Sequence, residues 1–357
     1  MENETNMELL DLIVQPAFCV KDGMIIHTNY AAQQRMVSAG TPIADLISTG
    51  TEEYKQFSDG CLYLTLTVSQ SPCGASVTRS GELDFFVLEQ ESDQAELRAM
   101  ALAAKELRGS LANVMSIADR LFPTLDPEAD EQAARINRGL FQMLRVISNM
   151  SDAGRYSAMQ SFRLETVNLS AFFEEVFQKA QSLIAHTGVT LTFRNLRENV
   201  FSLADKEKLE RAVLNILSNA LKFTPSGGSI TAILTRRGSK LYLSIQDSGS
   251  GIAEHLRHTA HSRFLREPGL EDSRFGIGLG MVLIRSTAAL HGGTLLIDQP
   301  DSGGTRVTMS LQIRQSKNTV LRDTNMLRVD YAGERDHGLL ELSDALPFSL
   351  YAPENED

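Results

Sequence analysis

Asn215, Asn219 and Lys222 stand at i, i+4 and i+7 in LNILSNALKFTPSGG, so a helix through them carries two amides and an ammonium on one face. An amide oxygen there suits Mg²⁺, which keeps several waters and shares the phosphates of a nucleotide, and the lysine suits phosphate charge. Taken singly, each also reads as a polar helix face in water. DSGSGI begins at Asp247, directly after the alternating Leu241, Leu243 and Ile245. A carboxylate at a strand end, followed by Gly249 and Gly251, lets backbone pass close to a flat ligand while the acid accepts a hydrogen bond from it. Asp-Ser-Gly alone is also a common turn. In FGIGLGMVLIRSTAALHGG, Gly276, Gly278 and Gly280, with Leu279 among them, lead into an apolar helix whose first N–H groups suit phosphate. No Gly-Lys-Ser/Thr follows, as a Walker loop requires, and the spacing is not that of a Rossmann turn.

These clusters lie in residues 165–313, which mix amphipathic helices (LSAFFEEVFQKAQSLI, KEKLERAVLNILSNALKF) with strands (SITAILTRR, KLYLSIQ, GTLLID, TRVTMSLQI). Three other segments surround them. Residues 8–90 open with a helix-like MELLDLIV. A hairpin follows in FCVKDGMIIHTN, where Asp22-Gly23 is a strong turn signal. A short helix AAQQRMV and strands CLYLTLTVSQ and GELDFFVLEQ complete a small mixed α/β module.

Residues 92–160 differ in kind. Leu97, Met100, Ala104, Leu107, Leu111, Val114, Ala118 and Leu121 recur at alternating spacings of 3 and 4, a heptad seam that Pro123 stops. Ile136, Leu140, Met143, Ile147 and Met150 repeat the pattern. The expectation is an antiparallel helical hairpin that pairs with its copy in a dimeric four-helix bundle; a monomeric hairpin buried against the other domains is the alternative. Residues 314–357 form an acidic tail, with nine acids against three arginines after residue 320. Its apolar run GLLELSDALPF could dock, while most of it reads as loosely ordered.

The 357 residues suffice for two or three domains. A net charge of −11 argues against a nucleic-acid-binding surface. Cys19, Cys61 and Cys73 form no Cys-x-x-Cys pair, and MENETNMELL is not a signal peptide, so reduced thiols and a cytoplasmic location are expected. No stretch approaches the roughly 20 apolar residues of a membrane span.

Asparagine helix, then Asp-x-Gly-x-Gly, then Gly-x-Gly-x-Gly is an order that resembles the ATP-binding domain shared by histidine kinases, gyrase, MutL and related chaperones. The likeness covers about 150 residues, from ADKEKLERAVLNILSNALKFTP to the closing GGTRVTMSLQI. It implies an α/β sandwich in which Asp247 binds the adenine amino group, Asn219 coordinates Mg²⁺, Asn215 supports the site and Lys222 meets phosphate. Gly276, Gly278 and Gly280 would line the triphosphate, Gly249, Gly251 and Leu279 are further candidates for nucleotide binding, and residues 252–275 would form a lid. Within the lid, His261 stands where the family usually has phenylalanine, and Phe264 and Arg266 remain. His255, His258 and His261 fall at spacing three; lid polarity is favoured there over a metal site.

The preceding helical hairpin selects the histidine kinase branch, and LLDLIVQPAFCVKDGMIIHTNYAAQQRM resembles a PAS sensor domain. The implied layout is multidomain α+β: PAS-like module, helical hairpin, ATPase. In that family the first bundle helix carries Ser-His-Glu-Leu-Arg-Thr-Pro-Leu; here the matching residues are Ala104, Lys105, Glu106, Leu107, Arg108, Gly109, Ser110 and Leu111. Lys105 replaces the phosphoacceptor histidine. An exposed lysine of ordinary pKa is unprotonated in about one molecule in 2,500 at neutral pH. Glu106 beside it favours the charged form further. None of the seven histidines lies between 92 and 160.

Two functions follow. The favoured one is a degenerate histidine kinase that binds ATP and acts by nucleotide-dependent shape, as a homodimer or as a heterodimer with a competent kinase. The alternative is a working enzyme that phosphorylates a partner such as a response regulator in trans, or hydrolyses ATP slowly. A gyrase- or MutL-type ATPase ranks third.

Overall fold

The computed structural model describes residues 10–89, 91–122, 129–157, 163–196, 199–251, 279–314 and 335–352. The amino-terminal layer contains β1 (Ala17–Lys21), β2 (Met24–Thr28), α1 (Tyr30–Gln34), β3 (Ile47–Thr49), α2 (Thr51–Gln56), β4 (Cys61–Val68), β5 (Ser71–Ser80) and β6 (Leu83–Leu88). Two long helices follow, α3 (Glu91–Leu121) and α4 (Asp130–Ser157). The next region holds β7 (Glu165–Asn168), α5 (Leu169–Ile184), β8 (Thr190–Asn195), β9 (Phe201–Ala204), α6 (Lys206–Phe223), β10 (Ser229–Arg237), β11 (Lys240–Asp247), α7 (Leu279–Leu290), β12 (Leu295–Asp298) and β13 (Arg306–Gln312). A short α8 (His337–Glu341) lies near the carboxyl end.

One sheet of 11 strands runs through both β regions in the order β2-β1-β6-β5-β4-β12-β13-β11-β10-β8, with β3 on β4. The join is antiparallel, Leu295 opposite Tyr63 and Ile297 opposite Cys61. Side chains reinforce it. Glu53 on α2 receives Lys240 Nζ at 2.7 Å and Tyr242 Oη at 3.0 Å. Arg285 on α7 donates to Glu89 at 2.7 Å and lies over the Tyr63 ring at 4.8 Å.

Gly154 brings α3 and α4 together: a Cβ there would meet Ala101 Cβ at 2.4 Å and Leu97 O at 2.7 Å. Arg108 on α3 donates to Ser148 Oγ on α4 at 2.7 Å. The two contacts advance in opposite directions along the two helices, so the pair is antiparallel. The heptad seam divides. Leu97, Ala104, Leu111 and Ala118 are buried, whereas Leu107, Val114 and Leu121, also seven apart, are about half exposed, as are Ile136 and Met143 on α4. A helix in a two-helix hairpin has one neighbour, which takes one heptad position and leaves the other outside. At the open end of the hairpin, Leu97 and Ala153 pack on Leu279, Val282 and Leu283 of α7.

Residues 335–352, which hold the apolar run GLLELSDALPF, dock as that run suggests. Asp336 caps α8 by accepting from Leu339 N, and Leu339, Leu340, Leu342, Leu346 and Tyr351 are buried in the same core as α4, α5 and α6. Tyr351 meets Phe141 edge-on at 5.2 Å, and its hydroxyl donates to Leu339 O at 2.7 Å. Arg138 donates to the carbonyls of Ser343 and Asp344. The apolar run in an acidic context buries because α4 and α6 leave a cleft for it.

Candidate functional site

Strand alternation places Asp247. Leu241, Leu243 and Ile245 are buried, and the period of two carries Asp247 onto the same face at the strand end. Antiparallel pairing sets Gln246 opposite Arg306 and brings Thr305 to its side. Asp247 Oδ1 accepts from Gly249 N at 2.8 Å and Thr305 N at 3.1 Å, while Asp247 N donates back to Thr305 O at 2.9 Å. Burial raises the carboxyl pKa, and the backbone N–H donors to it act in the opposite sense.

The walls are backbone. A Cβ at Gly249 would meet Phe223 O at 2.5 Å, and one at Gly304, where φ is +76°, would meet Asp247 O at 1.9 Å. Thr305 and Gly304 were missed as site residues, although GGTRVTMSLQI carried the signal. Gly251 is half-buried near Gln299. A planar, uncharged group with an N–H donor fits beside the carboxylate, because glycine backbone comes close there and the acid's Oδ1 is already fixed.

α6 supplies the polar stripe. Its N-cap is Asp205, which accepts from Lys208 N, and its buried face reads Leu209, Ala212, Val213, Ile216, Leu217 and Ala220. The start of α6 is tied to the end of α7 by His291. Its Nε2 accepts from Asp205 N at 3.1 Å, so Nδ1 carries the proton that goes to Thr287 O at 2.8 Å. Burial lowers the pKa of His291, which is therefore a neutral structural residue.

Asn215 is buried beside Gly280, whose Cβ would meet Asn215 Oδ1 at 2.8 Å, and Leu279 is buried next to it. Asn219 is half-buried on the same helix. Lys222 has its ammonium 2.6 Å from Asp344 Oδ2. Burial lowers the Lys222 pKa, with Asp344 opposing and Arg145 adding to the fall. Contacts join α6 to the β11 end, where Gly249 lies against the Phe223 carbonyl, and to the α7 start, where Gly280 lies against Asn215. The elements that carry Asn215, Asn219, Lys222, Asp247, Gly249 and Gly280 therefore adjoin, while Gly251 sits by Gln299 and Leu279 packs on Leu97 and Ala153. The donor set fits an adenine nucleotide: a buried acid for the base, glycine walls and an amide–lysine stripe. Gly276 and Gly278, and His255, His258, His261, Phe264 and Arg266 of the expected lid, lie outside the described residues.

On α3, Ala104 is buried, and Lys105 and Glu106 are exposed. No helix among the described residues is long and apolar enough to cross a membrane.

Residues 204–315 match the family described as histidine kinase-, DNA gyrase B-, and HSP90-like ATPase. Hybrid signal transduction histidine kinase D of Dictyostelium discoideum is 27% identical over 236 residues, 63% of this chain and 15% of its own length. Histidine protein kinase DivJ of Caulobacter vibrioides is 31% identical over 243 residues, covering 63% of this chain and 40% of the relative. The chain therefore spans well under two thirds of the length of these relatives. Among solved structures, full-length ShkA in complex with AMPPNP superposes with a TM-score of 0.51 at 20% identity, over 61% of this chain and 46% of that one, a likeness of fold. Residues 204–315 therefore carry an ATPase domain of the type found in histidine kinases, and the relatives the chain matches are histidine kinases by name.

Proposed function

We propose that the protein is a nucleotide-binding component of two-component signalling that does not phosphorylate itself at the usual position. The observation that supports this is an Asp247 carboxylate fixed by Gly249 and Thr305, together with an exposed Lys105 on α3. Asp247 accepts from the adenine amino group, with Gly249 and Gly251 beside the base. Asn219 holds Mg²⁺ bound through ATP, Asn215 supports it, and Lys222 with Gly276, Gly278, Leu279 and Gly280 meets the phosphates.

The organisation we infer is a PAS-like sensor (8–90), a dimerisation hairpin (92–160), an ATP-binding domain (165–313) and a carboxyl-terminal segment (314–357), in a cytoplasmic protein. Half-exposed Leu107, Val114 and Leu121 support a bundle formed with a second copy, or with a competent kinase as heterodimer. Output then passes through nucleotide-dependent shape to the partner kinase or a response regulator. Completeness of the described nucleotide residues favours one second reading, a kinase that labels a partner in trans or hydrolyses ATP slowly.

Incubation with γ-labelled ATP and Mg²⁺, alone and then with response regulators and kinases of the same cell, separates the two. The first reading expects nucleotide binding without label on this chain. An acid-labile phosphate formed by this protein alone overturns it, and label on a regulator that requires this chain supports the second.

A further inference from the structure

Glu341 is completely buried, and its carboxylate is shared out among residues from two elements. Oε1 accepts from Arg211 Nε at 2.9 Å; Oε2 accepts from Arg145 Nε at 3.2 Å and Asn215 Nδ2 at 3.1 Å. Three residues on, Asp344 Oδ2 lies 2.5 Å from Arg145 Nη1 and 2.6 Å from Lys222 Nζ. Burial alone would raise the Asp344 pKa, but Arg145 and Lys222 outweigh it and hold the pKa below the ordinary value, so the group is an anion.

Asn215 and Lys222 flank Asn219 on the same stripe, seven residues apart and so about 10 Å along the helix. The tail therefore sets one carboxylate at each end of the polar face that the nucleotide reading gives to Mg²⁺ and phosphate. Among the described residues, no hydrogen bond or ion pair joins the tail to Asp247, whose partners here are Gly249 and Thr305.

Docking does not require these acids. Leu339, Leu340, Leu342, Leu346 and Tyr351 supply the buried apolar surface. Buried ion pairs are poor stabilisers compared with apolar residues of the same size, because each charge loses its hydration. What the acids do is satisfy Arg145, Arg211 and Lys222. Asp152, paired with Arg211, is the acid that α4 itself contributes there. With the tail away, these cations favour another polyanion.

We propose that residues 335–352 are an intramolecular competitor of nucleoside triphosphate, with Glu341 and Asp344 taking the place of phosphate oxygens on Arg145, Asn215 and Lys222. This rests on the nucleotide reading of the site given above. It adds that Arg145, from the helical hairpin, is a phosphate-facing cation once the tail leaves. By reciprocity, triphosphate weakens tail docking by the factor that the tail weakens triphosphate binding. Adenosine, which has no phosphate, is indifferent to the tail.

The test uses the full chain and its Asp344→Asn variant, chosen because Asp344 is partly exposed and the change keeps the size. Affinities for ATP and for adenosine are measured on both, and hydrogen exchange of residues 335–352 is followed in the wild type. The expected result is ATP binding about tenfold tighter in Asp344→Asn, with adenosine unchanged. In the wild type, the amides of 335–352 lose protection with ATP and keep it with adenosine. If ATP binds both proteins equally, or leaves the tail as protected as before, the competitor is overturned while the nucleotide site stands. If neither ATP nor adenosine binds either protein, the site itself falls, and the competitor with it.

Discussion

Asp247 and Thr305 hold each other by two reciprocal bonds, Thr305 N to the aspartate Oδ1 at 3.1 Å and Asp247 N to the threonine carbonyl at 2.9 Å. Two strands 58 residues apart in sequence thereby fix one carboxylate before any ligand arrives. Such fixing removes rotamer freedom that binding would otherwise have to quench.

Asp247→Asn keeps an oxygen to accept from Gly249 and Thr305 and removes the negative charge. The fold is expected to survive, and ATP affinity to fall by about tenfold or more, as loss of a charged hydrogen-bond partner predicts. Calorimetric titration of both proteins, with thermal unfolding as control, checks it.

The same group sets a pH dependence. Burial raises the Asp247 pKa, so as pH falls the acid protonates earlier than a solvent-exposed aspartate and stops accepting from the base. Adenosine affinity should drop on acidification above the ordinary aspartate range, with no such step in Asp247→Asn. For stability the sign is opposite: a pKa raised by folding favours the native state at low pH, and that contribution disappears as pH rises through the folded value. A wild-type adenosine profile flat to the ordinary aspartate range would count against the assignment.

Gly304→Ala places a Cβ against the Asp247 carbonyl at a left-handed backbone position. A cost of about 1–3 kcal/mol from the backbone conformation alone is expected, and the clash adds to it. Denaturant unfolding measures this. Gly303→Ala is the control: its φ is +85° but its Cβ would have open space, so it should lose the conformational part only.

Val114→Asp tests the half-exposed stripe of α3. A charge at the centre of Leu107, Val114 and Leu121 should convert a dimer into a monomer without unfolding the hairpin, since Val114 is 51% exposed. Light scattering gives the mass; a wild type already monomeric at high concentration removes the bundle.

Lys105→His restores a nucleophile that is largely neutral near pH 7. Label from γ-labelled ATP is expected to remain at least tenfold below that of a competent kinase, about 1.4 kcal/mol in barrier, because Gly109 and Ser110 also differ from the family's Thr-Pro. Full labelling would mean that one residue accounts for the loss.

The strand before Asp247 and the helix bearing Asn215, Asn219 and Lys222 were legible because both alternate cleanly against a single core. β5 was not: SPCGASVTRS is polar, and burial reaches only Ala75 and Val77 within it. β8 hid for a related reason, a short TLTFRN with one fully buried side chain. GGTRVTMSLQI flagged the neighbourhood of Thr305, but its bond to Asp247 follows only from the register of β11 on β13. Nothing local marks Glu341, since its partners Arg145 and Arg211 lie 196 and 130 residues away. The heptads announced two helices correctly, but only packing could say which half of the seam stays outside.

The pairing of β4 with β12 has a consequence for how this chain can be rebuilt. Cys61–Tyr63 fill the hydrogen-bonding edge of Leu295–Ile297, so the amino-terminal strands and the strands of the ATPase-type domain are not interchangeable cassettes. A transplanted amino-terminal region would have to bring its own strand in the same register. Otherwise the graft leaves an open edge, and open edges template association between chains.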